Sequence, residues 1–369
     1  MATETLVHAN IKTAAPAKRF TLYSKSEYYN DIVARITRTK KGDRIAMATM
    51  AFEPDEPGVS DILSALGKAA ERGVSTSLAV DAYIFLSHDK RGPGPLFFAN
   101  KLPRRMPKIF RRKLEIIKTL RTQGVACAIT NQPGRPFTSP VAGRSHIKYT
   151  IINHRLYVGG CNLNDVTDID MMVGWDDRKT SDWLYDFASK MIHTQGTTFM
   201  QGKDLEFSVD SLSELLVDSG IRKQSIILTK ALELIDQAQK EIFLTCQFFP
   251  NSVTAKHLVA AHHRGVVVSV VYNPANKHPI PYSVLHHLVD ARERLRTPAP
   301  LFANRLSKQH PYLHAKVLAT EKGAIIGSHN FVAAGVNFGT AEIALLRYDP
   351  DFSRELQGST RQLIALSPS

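Results

Sequence analysis

SHIKYTIINHRLYVGGCNL (145–163) and LHAKVLATEKGAIIGSHNF (313–331) decide how this chain is read. Each holds His-x-Lys, a run of β-branched and aliphatic residues, a turn, and a Gly-rich segment ending in Asn. His146 and His314 are 168 residues apart, and so are Asn162 and Asn330, so the two stretches coincide without insertion or deletion. A lone His-x-Lys arises by chance in many proteins. Two in register, each followed at the same distance by Gly and Asn, mark an internal duplication.

The duplication extends outward. IVARITRTKKGDRIAMATMAF (32–52) and ALELIDQAQKEIFLTCQFF (231–249) each read as a helix followed by a buried strand. SDILSALGKAAERGVSTSLAVD (60–81) and SVTAKHLVAAHHRGVVVSVVYN (252–273) each read as a helix, Arg-Gly-Val and a second strand. Gly73 and Gly265 suit the position just past a helix end, and the β-branched residues after them suit a parallel strand buried on both faces. These glycines are 192 residues apart rather than 168, so the first copy carries an insertion of about 24 residues before its histidine. It falls at about 86–118, where Lys and Arg crowd around Phe97, Phe98, Leu102, Met106, Ile109 and Phe110. That stretch fits a membrane-surface or phosphate-facing element, or an ordinary amphipathic helix with solvated basic residues. The predicted organisation is α/β in two fused halves: 1–200 with the basic insertion, a linker at 201–224, and 225–369.

On a strand, positions i and i+2 face the same side, so His146 projects with Lys148 and His314 with Lys316. Each pair offers one titratable group and one fixed cation to the same anion. Asp170, in DIDMMVGW, and Glu342, in GTAEIALL, lie one strand beyond their motifs. A carboxylate there can hydrogen-bond the imidazole nitrogen that faces away from a bound anion. These two acids are 172 residues apart, so their register is imperfect. Ser328 is expected to add a hydroxyl to that anion, with Gly160 at its place in the first copy.

SHIKYTIIN with VGGCN, and LHAKVLATE with IGSHN, resemble the paired HKD motifs of the phospholipase D superfamily, His-x-Lys-x4-Asp followed by a Gly/Ser-rich turn and Asn. QFFP (247–250) resembles the start of the second domain in cardiolipin synthase-type members. The motif's Asp is replaced by Asn153 and Glu321, positions that read as turn residues between strands. The resemblance implies two α/β/α sandwich halves with mixed sheets flanked by helices, related by a pseudo-twofold axis. It implies catalysis without metal or cofactor, His146 as nucleophile and His314 as general acid/base or the reverse, Lys148 and Lys316 neutralising phosphoryl oxygens, and Asn162 and Asn330 donating amides. The activity expected is that of a phospholipase D or cardiolipin synthase-like phosphatidyltransferase. A nucleic-acid phosphodiesterase and a non-catalytic phosphate-binding scaffold are the alternatives.

Composition limits the partner. Among 369 residues, 47 Lys plus Arg against 34 Asp plus Glu leave +13, which favours an anionic membrane surface or nucleic acid. No obligate protein partner is evident. Cys127, Cys161 and Cys246 are widely spaced, which speaks against a disulfide scaffold or zinc site and for a reducing compartment. Without an apolar run of about 18 residues or an export signal, the expectation is a cytoplasmic protein, peripheral to the inner face of a membrane. Neither His262 with His263 nor His286 with His287 fits one face of a helix as a metal site.

Overall fold

The computed structural model describes residues 19–85, 87–88, 92–93, 105–132, 143–274, 287–289, 291–293, 295–302 and 304–365. Most of the basic insertion before residue 105, and His286, lie outside the described residues.

The first half runs β1 (Thr21–Ser24), α1 (Lys25–Thr37), β2 (Arg44–Thr49), α2 (Pro57–Glu71), β3 (Ser75–Asp81), α3 (Lys108–Thr122), β4 (Ala126–Thr130), β5 (Tyr149–Ile152), β6 (Arg155–Gly159), β7 (Met171–Asp176) and α4 (Arg178–Thr194). The second runs β8 (Leu205–Asp210), β9 (Ser213–Ser219), α5 (Ile226–Gln237), β10 (Glu241–Thr245), α6 (Ser252–His263), β11 (Val267–Val271), β12 (Val317–Thr320), β13 (Ala324–Gly327), α7 (Ala333–Phe338), β14 (Ala341–Arg347) and α8 (Pro350–Ala365).

Local chemistry accounts for the boundaries. Ser24 caps α1 in a reciprocal box with Glu27. Val59, Ile62, Leu63, Leu66 and Ala69 form the buried stripe of α2. Gly73 and Gly265 take φ of +86° and +87°, the left-handed turn that releases each helix into its parallel strand.

Two mixed seven-stranded sheets result, ordered β1-β7-β6-β5-β2-β3-β4 and β8-β9-β14-β13-β12-β10-β11. Six strands correspond one to one. The sheets differ only at their edges, where the first adds β4 beside β3 and the second adds β8 beside β9. Val158, Val173 and Trp175 of the first sheet share one apolar cluster with Val317, Ile326 and Ile343 of the second, together with residues of α4 and α8. The halves therefore share a core. Residues 205–219, which read as part of a linker, form the β8–β9 hairpin at the edge of the second sheet. Their Ser content and flanking glycines hide a strand whose Leu215, Leu216 and Val217 are fully buried.

The His-x-Lys segments lie just ahead of β5 and β12 rather than within them. They pair instead across the pseudo-twofold axis, through parallel bridges Ser145–Ala341 and Ile169–Leu313. The alternation survives, because Ile147 and Ala315 are buried between the paired polar residues.

The ends of β3 and β11 hold the residue preceding each histidine. Ser145 N donates to Asp81 Oδ2 at 2.8 Å. In the second half, Leu313 N donates to Asn273 Oδ1 at 3.0 Å, and Asn273 Nδ2 donates to Leu313 O at 2.7 Å. Burial pushes the Asp81 carboxyl up, and the Arg144 guanidinium 3.3 Å away opposes that shift. Asn273 is neutral, and Tyr312 stands where the first half has Arg144. Asp81→Asn retains an acceptor for Ser145 but removes the charge opposite Arg144, so a loss of about 3 kcal/mol is expected in denaturant unfolding. An unchanged unfolding midpoint would show that the ion pair does not anchor this motif.

Candidate active site

The bridges across the pseudo-twofold axis bring both motifs into one place. The rings of His146 and His314 have centroids 6.2 Å apart and planes at 72°. Lys148 and Lys316 are buried beside them. Each ammonium donates to the backbone carbonyl of the histidine two residues earlier, at 2.8 Å for Lys148. Asn162 is buried, and its Oδ1 accepts from Ala51 N at 3.1 Å, so its amide nitrogen is the atom left to donate. Asn330 Oδ1 is buried and has no hydrogen-bond partner among the described residues.

The two carboxylates cross over. His146 Nδ1 lies 2.9 and 3.1 Å from the Glu342 oxygens, and His314 Nδ1 lies 2.7 Å from Asp170 Oδ2. Each imidazole is thus held by the acid of the other half. The backbone explains this exchange. His146 N donates to Ala341 O and His314 N to Ile169 O, both at 2.8 Å, so each motif runs alongside the segment that delivers the opposite carboxylate. An ionised carboxylate can only accept, which fixes the proton on Nδ1 and leaves each Nε2 with a free lone pair.

Burial sets the charges. It pushes His146 down to about 4 and His314 down to about 3, with Lys148 and Lys316 adding repulsion and the carboxylates opposing. Burial lowers Lys148 to about 7 and Lys316 to about 8, against the pull of Glu342 and Asp170. Burial alone would raise Asp170 and Glu342, but their histidine partners and nearby lysines hold both down to about 2. At neutral pH, two neutral imidazoles therefore stand on two carboxylates, with two cations that lose their charge readily.

Ser328 does not face a phosphate. Its hydroxyl donates to Glu342 Oε2 and accepts from Ile343 N at 3.0 Å, so it fixes the carboxylate that holds His146. At the equivalent place, a Cβ on Gly160 would fall 2.2 Å from Asp170 Oδ1. Glycine makes room for one acid where serine binds the other. Asn153 and Glu321 stand at the two strand turns and cap neighbouring backbone. Asn153 Oδ1 accepts from Arg44 N at 3.1 Å, and Glu321 Oε1 accepts from Gln239 N at 2.8 Å.

Three neighbours escaped the sequence reading. Lys25, buried at the start of α1, donates to Asn164 Oδ1 and Asp165 O, both at 2.6 Å, and pairs with Asp168 at 3.2 Å. It braces the loop that ends at Asp170. Asp218 sits opposite Glu342 in the β9–β14 register, and burial pushes its carboxyl up to about 8. Tyr312 lies over the His314 ring at 6.4 Å with its hydroxyl 2.5 Å from Gln247 Nε2. Tyr312 could have been found from its place two residues before the second histidine. Lys25 and Asp218 occupy matching places at the ends of β1 and β9, but nothing in their local sequence marks them. Among the described residues, no group of three or more His, Cys, Asp or Glu could hold a metal ion.

Residues 231–364 match the family model described as cardiolipin synthase, PLD-like domain. No curated protein matches the chain by sequence. Among solved structures, phosphatidylserine synthase from Haemophilus influenzae Rd KW20 superposes with a TM-score of 0.69 at 14% identity, over 95% of this chain and 87% of that one. Polyphosphate kinase from Porphyromonas gingivalis superposes at 0.56 and 13% identity, over 94% of this chain and 50% of that one. At these identities the two structures speak for the fold alone. The second half therefore matches a phospholipase D-like domain, and the fold of phosphatidylserine synthase is shared across nearly the whole length of the chain.

Proposed function

We propose that the protein is a phosphodiester hydrolase or phosphatidyltransferase that acts on phospholipids through a phosphohistidine, as a peripheral enzyme on the cytoplasmic face of a membrane. The observation that carries this reading is the pair of imidazoles 6.2 Å apart, each held at Nδ1 by a carboxylate of the other half. A phosphoryl group between them can be met from both sides. Nε2 of one ring attacks phosphorus as the bond to the leaving oxygen breaks, and the partner imidazolium gives that oxygen its proton. Water or an acceptor alcohol then surrenders a proton to the same imidazole and attacks phosphorus, breaking the P–N bond. His146 is assigned the nucleophile's part and His314 the acid's. Lys148, Lys316 and the amides of Asn162 and Asn330 compensate charge on the equatorial oxygens.

The free site holds its histidines neutral, which suits attack. An arriving phosphodiester anion raises the proton affinity of the ring beside the leaving oxygen, which suits donation. The description of the matched family, cardiolipin synthase, favours a phospholipid as substrate. A net charge of +13 fits an anionic lipid surface and also gives a nucleic-acid substrate its support.

Phosphatidylglycerol vesicles and labelled single-stranded DNA, each incubated with the protein in EDTA, separate these readings. Release or transfer of the lipid head group is expected. Turnover of DNA alone would make the protein a nuclease, and turnover of neither would make it a scaffold. His146→Ala and His314→Ala should each abolish turnover, and full activity in either variant would remove that ring from the mechanism. Glu342→Gln should lower kcat at least about a hundredfold by disturbing the tautomer and charge behind His146.

The lysines set the alkaline limit. Each is a cation only below its own pKa, so kcat/KM should fall as pH rises through about 7 for Lys148 and about 8 for Lys316. A profile with no fall across that window, flat through pH 9, would show that neither ammonium is required in the free enzyme.

A further inference from the structure

Exposed large apolar side chains are few among the described residues, and two of them occupy matching places. Val166, 38% exposed, lies in the loop that leaves Asn162 and returns at Asp170. Phe338, 45% exposed, ends α7 in the loop that leaves Asn330 and returns at Glu342. Both ends of each loop are therefore site residues. Counted back from the two carboxylates, Val166 and Phe338 stand at the same position, four residues before Asp170 and Glu342. The pseudo-twofold axis that joins the catalytic halves thus sets one apolar side chain on each side of the site.

Exposed cations accompany both. Phe338 O accepts from Gly143 N at 3.1 Å, and the adjoining Val336 O accepts from Lys223 N at 2.8 Å, which brings exposed Lys223 and Arg222 beside α7. On the other side, the Val166 loop enters the site alongside the segment ending at Leu313, through the Ile169–Leu313 bridge. That segment carries exposed Arg305 and Lys308. Phe338 has cations directly beside it, and Val166, which follows Asp165, has them on the segment bridged to its loop. Apolar tips so accompanied suit a surface that is anionic at its face and hydrocarbon beneath. A nucleic-acid backbone would use the cations but would gain little from a valine at a loop tip.

We infer that the loops bearing Val166 and Phe338 form a two-sided rim that seats the mouth of the site on an anionic lipid bilayer, their apolar tips entering the headgroup boundary while Arg222, Lys223, Arg305 and Lys308 meet lipid phosphates. The rim rests on the phospholipid reading for its purpose, but its binding is measured without turnover. No helix among the described residues is long and apolar enough to cross a membrane, and the rim attaches the protein from one side.

The test compares the full-length wild type with a Val166→Ser/Phe338→Ser double variant. Sedimentation is followed with vesicles of phosphatidylcholine mixed with phosphatidylglycerol, and with phosphatidylcholine alone. Turnover is followed on the same mixed vesicles and on short-chain phosphatidylglycerol kept monomeric in solution. The wild type should sediment with the anionic vesicles and less with the neutral ones. The double variant should lose about tenfold or more in vesicle affinity and vesicle turnover while keeping wild-type turnover of the monomeric lipid, which also reports that it is folded. Equal vesicle binding by both proteins, or none by the wild type, would overturn the rim. So would a matching loss of single-stranded DNA binding, or dissociation of a dimer, in the double variant. Absence of turnover on every lipid, with vesicle binding still dependent on the two tips, would keep the rim and reject the enzymatic reading.

Discussion

The crossed hydrogen bonds between imidazole and carboxylate are the constraint on which the site depends. His146 takes its orientation from Glu342, and His314 from Asp170. Neither half contains a complete unit of histidine and acid. The bridges that deliver the acids also join the two sheets, and the shared apolar cluster between those sheets leaves little freedom for one half to shift against the other. Geometry at the reacting centre is thereby tied to the packing of the whole chain, the kind of support that keeps catalytic groups in productive positions.

That arrangement also governs the electrostatics. Two lysines, two histidines and two carboxylates share a buried space where charges interact far more strongly than in water. Were both imidazoles charged, the site would hold four cations against two anions. Leaving them neutral balances two ammonium groups against two carboxylates and leaves the site ready for one further negative charge. On the proposed reading, a phosphodiester would supply that charge, and with it a reason for a proton to enter the ring nearest the leaving oxygen. Substrate binding and acid activation are then the same electrostatic event, seen from two sides.

Much of this was legible in the sequence because duplication prints the same pattern twice. The equal spacing of His146 to His314 and of Asn162 to Asn330 appears in the structure as β5–β6 superposing in kind on β12–β13, and Gly73 and Gly265 stand where the helices give way to strands. Self-comparison reports which residues are equivalent, however, and not which copies touch. The exchange of Asp170 and Glu342 between halves was invisible for that reason, as was the turn of Ser328 toward Glu342. The β8–β9 hairpin was hidden because the second sheet places it where the first has only the short β1. Asp81 and Asn273 closed the two quoted strands, but an acid and an amide at a strand end carry no signal until the residue they hold is seen to precede a histidine of the candidate site.

Equivalence also exposes where the halves have parted. Arg144 with Asp81 in the first corresponds to Tyr312 with Asn273 in the second, a charged pair replaced by a neutral one at both members together. Gly160 leaves space for Asp170, whereas Ser328 binds Glu342. Lys25 braces the loop before Asp170, whereas Asp218, with its raised pKa, lies opposite Glu342. The glycine, serine, lysine and aspartate differences fall behind the carboxylates, whereas Tyr312 lies over the His314 ring itself. A symmetric site would give its two imidazoles the same proton affinity, yet the proposed reaction asks one to attack and the other to donate. Duplication supplies two rings with one geometry, and changes among the residues around them can give the two rings different proton affinities without moving either ring.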